Sequence, residues 1–182
     1  FVVQPMVTKL TLPLLGGSPA VWNTSMVFFQ TALLAGYLYA HLLQKAGSLK
    51  VQVLVHLAAL AIAALLLPLQ VSSLLGEPDS TAPIFWLLGT LVISIGAPFA
   101  VLSATAPLLQ AWFARLQAGT KSGKNPYVLY AASNLGSFLA LLSYPILIEP
   151  LASLSLQRSG WSIGYGVFVL LVMALGLLIW SR

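Results

Sequence analysis

The sequence contains no cysteine. That excludes disulfides, thiolate metal sites and a cysteine nucleophile. Charge is nearly as scarce: 6% of the 182 residues are charged, and only three are acidic. A soluble domain averages about 25% charged residues, and a chain with so few cannot cover a water-facing surface. Hydrophobic residues make up 59%. The composition predicts an all-α, polytopic integral membrane protein, solvated by the lipid bilayer. The formal charge of +5 does not point to nucleic acid as a partner. No basic cluster is interleaved with aromatics, and the basic residues sit in short gaps between apolar runs. The first apolar run lacks a basic n-region and a small-residue cleavage site, so no signal peptide is read there. Phe1 stands where a Met would, and the expectation is a segment of a longer chain.

A membrane helix needs about 20 mostly apolar residues, and the chain divides into about six such runs. The first, 1–15, is too short and carries Pro5 and Pro13. It reads as the outer part of a truncated helix or as a re-entrant segment. The following spans are 19–43, 51–71, 84–116, 127–148 and 161–180. The run 84–116 contains Gly96-Ala97-Pro98 and Pro107, which predict a kink or break. Pro145 and Pro150 are expected to end the fifth run. The polar stretch up to Gly160 is a candidate for a short interfacial helix. The whole of 1–182 reads as one transmembrane domain with no soluble domain.

The loop charges alternate. Lys45, Lys50, Arg115, Lys121, Lys124 and Arg182 fall on one side, while Glu77, Asp79, Glu149 and Arg158 fall on the other. The positive-inside rule places loops 44–50 and 115–125 and the C-terminus in the cytoplasm. The expected location is the bacterial cytoplasmic (inner) membrane.

Small residues repeat every four positions at Ala32, Gly36 and Ala40, and again at Ala132, Gly136 and Ala140. This spacing lets two membrane helices approach closely. Helix packing is one reading, and a gliding interface in a transporter is the other. Asn23, Gln30, His56 and Asn134 lie within or near spans. They serve either as interhelical hydrogen-bonding groups or as a solute-contact surface. His56 alone makes no metal site, which needs several converging ligands. Lys9 and Glu149 fall at the same end. They are read as a structural pair, as two snorkelling side chains, or as a gate. Trp22, Trp86, Trp161 and Trp180 fall near span ends, and Trp112 and Tyr127 flank the basic loop. All read as interfacial anchors. No paired carboxylates, phosphate-binding glycine loop or nucleophile with a neighbouring base appears. No catalytic residue, cofactor or metal ligand is therefore assigned.

Three stretches carry a resemblance. They are "QPMVTKLTLPLLGGSPAVWNTSMVFFQTALLAGYLYAH" (Gln4 to His41), "GAPFAVLSATAPLLQAWFA" (Gly96 to Ala114) and "NPYVLYAASNLGSFLALLSYPILIEP" (Asn125 to Pro150). Together they resemble the membrane region of the fused major-facilitator/spermidine-synthase family. The resemblance implies a bundle like one half of a major-facilitator fold. The aminopropyltransferase chemistry of that family belongs to a soluble domain that this sequence lacks, so no polyamine-synthase residue is carried over.

Three functions follow as expectations. The first is a non-catalytic membrane module acting as scaffold or accessory subunit, with other membrane subunits or a second copy as partners. The second is half of a solute transporter, possible polyamine export included. The third is an anchor for an aminopropyltransferase domain outside this chain. The topology itself is testable because the chain has no native thiol. A cysteine introduced by Ser48→Cys should react with an impermeant thiol reagent only from the cytoplasmic side, and one introduced by Ser18→Cys only from the opposite side. The reverse pattern would invert the assignment.

Overall fold

The computed structural model describes residues 1–71, 74–78, 81–117 and 127–181, and all regular structure among them is helical. Asp79, Lys121, Lys124 and Arg182, used above to orient the chain, lie outside the described residues, as does most of the loop 115–125.

Helix α1 covers Val3–Thr11 and tightens into a 3₁₀ turn, Leu12–Leu15. Gly16 and Gly17 follow with φ of 72° and 67°. Only glycine adopts that conformation without strain, and two in succession reverse the chain. Helix α2, Pro19–Gln44, starts with proline at its first position after an extended Ser18, where the missing N–H is no loss. Helix α3 is Leu49–Ala64. Helix α4, Pro83–Leu91, passes through a π-helical turn, Val92–Gly96, into α5, Ala97–Leu116. Helix α6, Tyr127–Ser143, continues through a second π-helical turn, Tyr144–Ile148, into the short α7, Glu149–Leu151. Helix α8 is Leu154–Trp180. Among the described residues, four helical runs are long and apolar enough to cross a membrane: Pro19–Gln44, Pro83–Leu116, Tyr127–Leu151 and Leu154–Trp180.

The expected span 51–71 is not one continuous helix. Helix α3 has 16 residues, short of the roughly 20 a crossing needs. Leu65, Leu66 and Leu67 donate to carbonyls three residues back, on Ile62, Ala63 and Ala64. Pro68 explains the stop, since it disfavours helical geometry at the residue before it. Leu69 then turns inward, 2% exposed, and joins the cluster of Met6, Leu91 and Ile95. The apolar tail of the run is packed, non-helical chain that carries the crossing on from the end where Gln44 meets Arg115 to the end where Ser18 and Pro83 line one recess.

The prolines of the fifth run also act differently from expectation. Pro145 does not end the helix but sits in the π-helical turn. The wider turn absorbs the missing donor and the ring, and the helical run reaches Leu151, past Pro150. The break expected near Pro98 is the π-helical turn just before it, while Pro107 lies inside α5. The last helix starts at Leu154 rather than near Trp161. Extended Ser153 caps it, its Oγ accepting the Leu156 N–H at 3.3 Å. The polar stretch is thus the first turns of α8 and not a separate interfacial helix.

Helix α2 lies against α5 along its small-residue stripe. Ala32, Gly36 and Ala40 are buried. A Cβ at Gly36 would sit 2.4 Å from both the Ala100 carbonyl oxygen and Ser103 Oγ. Beside this seam, Phe29 meets Phe28 and Phe99 edge-on, with centroids 5.1 and 5.0 Å apart. The second stripe makes no such approach. Ala132 and Gly136 are exposed and Ala140 half-buried, and a Cβ at Gly136 would meet nothing within 4 Å. Only 6% of the most apolar window of Tyr127–Leu151 is buried, so this helix lends the chain little packing.

These environments predict opposite outcomes for the two glycines. Gly36→Val should destabilise the detergent-solubilised protein by about 1–3 kcal/mol, the range for overpacking. Gly136→Ala should be neutral or stabilise by up to about 1 kcal/mol, as Gly→Ala does inside helices. Thermal unfolding of both variants checks the contrast.

Candidate functional site

The polar groups buried in the bundle gather where α2, α3 and α5 meet. Gln52 and His56 are one turn apart on α3 and share its inner face with Leu60. All three are 0% exposed. Every hydrogen-bonding group of the Gln52 amide has a partner. Its Oε1 accepts from Trp112 Nε1–H at 3.0 Å. Its Nε2 donates to the Ala46 carbonyl at 2.6 Å and the Gln44 carbonyl at 3.3 Å. Arg115 Nη2 donates to the same Gln44 oxygen at 2.8 Å. Those carbonyls close α2, where the last turn leaves acceptors without intrahelical donors. Gln52 and Arg115 therefore cap α2 from neighbouring helices, and the Arg115 charge complements the negative end of its dipole.

His56 extends the network. Thr105 Oγ1 donates to the Val101 carbonyl at 3.3 Å. Its proton is thereby committed, so it accepts from His56 Nε2–H at 2.9 Å. His56 Nδ1 is then left to accept the Tyr39 hydroxyl proton, 3.4 Å away. The hydrogen bonds assign a neutral imidazole with its proton on Nε2. Tyr39 stacks on the ring at 5.9 Å, and Trp112 meets it edge-on at 6.0 Å. The chain of donors ends on a backbone carbonyl. It holds three helices together. Among the described residues, no group of three His, Cys, Asp or Glu side chains is placed to hold a metal.

A second polar cluster ties the other end. Lys9 of α1 forms an ion pair with Glu149 of α7, and its Nζ lies 6.0 Å from the Tyr144 ring centroid. The Tyr144 hydroxyl donates to Gln157 Oε1 at 3.2 Å, and Gln157 Nε2 donates to the Ala152 carbonyl at 2.8 Å. The Lys9 and Glu149 side chains remain 32% and 42% exposed, so the pair is worth at most about 1 kcal/mol.

The residues singled out from sequence are not brought to one place. His56 is in the α2–α3–α5 network, and Lys9 and Glu149 are in the second cluster. Asn23, Gln30 and Asn134 are exposed on α2 and α6. Asn23 and Gln30 share the outward α2 face with Val27 and Leu34, which are 61% and 66% exposed. Trp112 corrects the anchor reading: it is 1% exposed and holds Gln52. Trp86 is likewise buried, its indole 3.4 Å from the Leu75 carbonyl. Trp22 and Trp180 are exposed, and Lys50 Nζ lies 5.2 Å over the Trp180 ring. Gln52, Thr105, Tyr39 and Gln157 were not anticipated. The signal for Gln52 was its four-residue spacing from His56, which puts two polar residues on one helix face.

The Gln52–Trp112 bond gives a coupled prediction. Gln52→Leu takes their partner from the Trp112 N–H and from the Ala46 carbonyl just past α2, while Arg115 still reaches the Gln44 carbonyl, and should cost about 1–3 kcal/mol. Once Gln52 is gone, Trp112→Phe should cost less than it does in the parent chain. A double-mutant cycle read by thermal unfolding should return a coupling of about 0.5 kcal/mol or more. Strict additivity would mean the bond contributes nothing.

No family model, no curated protein and no solved structure matches this chain, so the geometry carries the functional reading.

Proposed function

We propose that this chain is a non-catalytic, membrane-embedded helical module that works as a scaffold or accessory subunit of a larger membrane assembly. One observation carries the proposal. The deeply buried polar side chains of the α2–α3–α5 network are spent on joining helices, whereas Asn23, Gln30 and Asn134 face outward. Hydrocarbon offers an outward amide no hydrogen-bond partner, and a neighbouring protein helix does. The almost unburied α6, with its small-residue stripe, is a second surface of the same kind. The proposal keeps the resemblance to the membrane part of the fused major-facilitator/spermidine-synthase family. In it, any aminopropyl transfer belongs to a soluble domain. The half-transporter reading requires the polar residues to converge on one cavity, and their dispersal over α1, α2, α3 and α6 argues against it.

Native mass spectrometry of the complex extracted from its source membrane tests the proposal. The expected result is a fixed stoichiometry with at least one other membrane subunit or a second copy. Joint Asn23→Leu and Gln30→Leu substitution should weaken that association at least tenfold, without lowering the melting temperature of the isolated chain. Extraction as a lone chain, indifferent to these substitutions, would overturn it.

A further inference from the structure

A cleft runs between α8, α5 and α6. At the Glu149 end it is a cavity of about 540 Å³ whose walls include Ile148, Leu156, Gly160, Trp161 and Gly164. A second cavity of about 350 Å³ extends it between α5 and α6, and the two share Leu102 and Phe168. The polar side chains in the wall of the larger one are Gln157 and Tyr165. Neither is free to recognise a polar ligand. Gln157 is bonded to Tyr144 and to the Ala152 carbonyl, and the Tyr165 hydroxyl donates to the Leu60 carbonyl at 3.1 Å. Gly160 and Gly164 deepen the wall, for a Cβ at either would meet nothing within 4 Å.

We infer that this cleft is a binding site for one hydrocarbon chain of an anionic membrane lipid. Protein interiors are packed to crystal-like density, and a void of this size between helices forfeits the dispersion contacts of its whole lining. The only apolar matter available at that depth in a bilayer is lipid chain or another helix. The charges favour lipid. Glu149 is already paired with Lys9. Arg158 follows the lining residue Gln157 on α8 and forms no ion pair among the described residues. Its Nε is buried without a hydrogen-bond partner. An acidic headgroup at this end of α8 complements the unpaired Arg158 charge while its chain lies along Gly160 and Gly164. The bound lipid then fills the gap between α6 and the bundle, which the two clusters of side-chain contacts leave open. This inference requires only that the helices lie in a bilayer, and it does not depend on the scaffold reading.

The test uses the full chain in detergent, titrated with phosphatidylglycerol or phosphatidylcholine carrying brominated chains. The signal is the quenching of Trp161, taken as the difference between the parent and Trp161→Phe. Saturable quenching at one lipid per chain is expected, with phosphatidylglycerol at least fivefold tighter. Arg158→Gln should remove that preference and leave phosphatidylcholine unchanged. Gly164→Leu places a side chain in the cleft from a position where a Cβ meets nothing within 4 Å and should abolish saturable quenching; Gly160→Leu is the second variant should the first not fold. Quenching that never saturates and is indifferent to both leucines, as for a general lipid shell, would overturn the site. So would a concentration-dependent dimer that excludes lipid from Trp161. Partition of the chain into vesicles, read in parallel, separates failure of this site from failure of the membrane assignment.

Discussion

The close approach of α2 and α5 at Gly36 is the contact on which the rest of the bundle depends. With no side chain at that position, the α5 backbone reaches the α2 surface, and the Ala100 carbonyl occupies space that any Cβ would claim. That seam sets where Thr105, Trp112 and Arg115 stand along α5, and therefore which groups on α3 and at the end of α2 they can reach. A shift of one helix past the other by a fraction of a turn would separate Trp112 from Gln52 and Arg115 from the Gln44 carbonyl together. Close packing and polar satisfaction thus reinforce each other. The backbone approach brings the donors into range, and the donors fix the register of the approach.

The two ends of the bundle are built on different chemistry. At the Gln44 end, buried neutral groups and one arginine close off the carbonyls of α2, and each member has a partner. At the Glu149 end, a half-exposed ion pair and a tyrosine–glutamine contact tie α1, the π-helical turn and α8. In the first arrangement the buried Gln52 amide and Trp112 indole are fully paired, as an unpaired polar atom there is costly, while Arg115 stays exposed beside the loop. The second suits an interface, where solvent screens the pair and tolerates its exposure. Between the ends, α6 is joined to the bundle chiefly through its π-helical end. The outward polar face of α2 takes no part in either cluster. Surfaces of this kind are where a membrane protein meets other molecules.

How much of this was legible in the sequence depended on whether the deciding physics was local. Helix α2 was placed to within a residue or two because Gly16-Gly17-Ser18-Pro19 and Gly47-Ser48 carry their own turn chemistry. Its small-residue stripe sits at a real close approach, but the identical spacing on α6 faces open space. Spacing says that a face can pack closely, not that a partner in the same chain is there. The apolar count over 51–71 could not separate a spanning helix from a helix followed by a buried loop, since Leu65 to Leu69 are equally apolar in both. Pro145 was read as a stop because a standard helix rejects it, whereas a π-helical turn does not. Asn23 and Gln30, seven residues apart, share a face of α2, and no residue type reveals whether that face points inward or outward. Tryptophan misled in the same way: Trp112 and Trp180 both border the basic end, and only the first is enclosed.

The central claim is that the polar residues of the spans hold helices to one another and to partners, and do not line a path for solute. Gln30, in the middle of α2, is the place to ask. Gln30→Cys should be the only thiol in the chain. In native membranes the claim predicts that this thiol is inert to small, charged, water-borne alkylating reagents from either side and forms a cross-link to a partner chain on oxidation or with a short bifunctional reagent. Rapid alkylation from one side, slowed by a soluble amine or another solute, would reveal an aqueous pathway along α2 and contradict it.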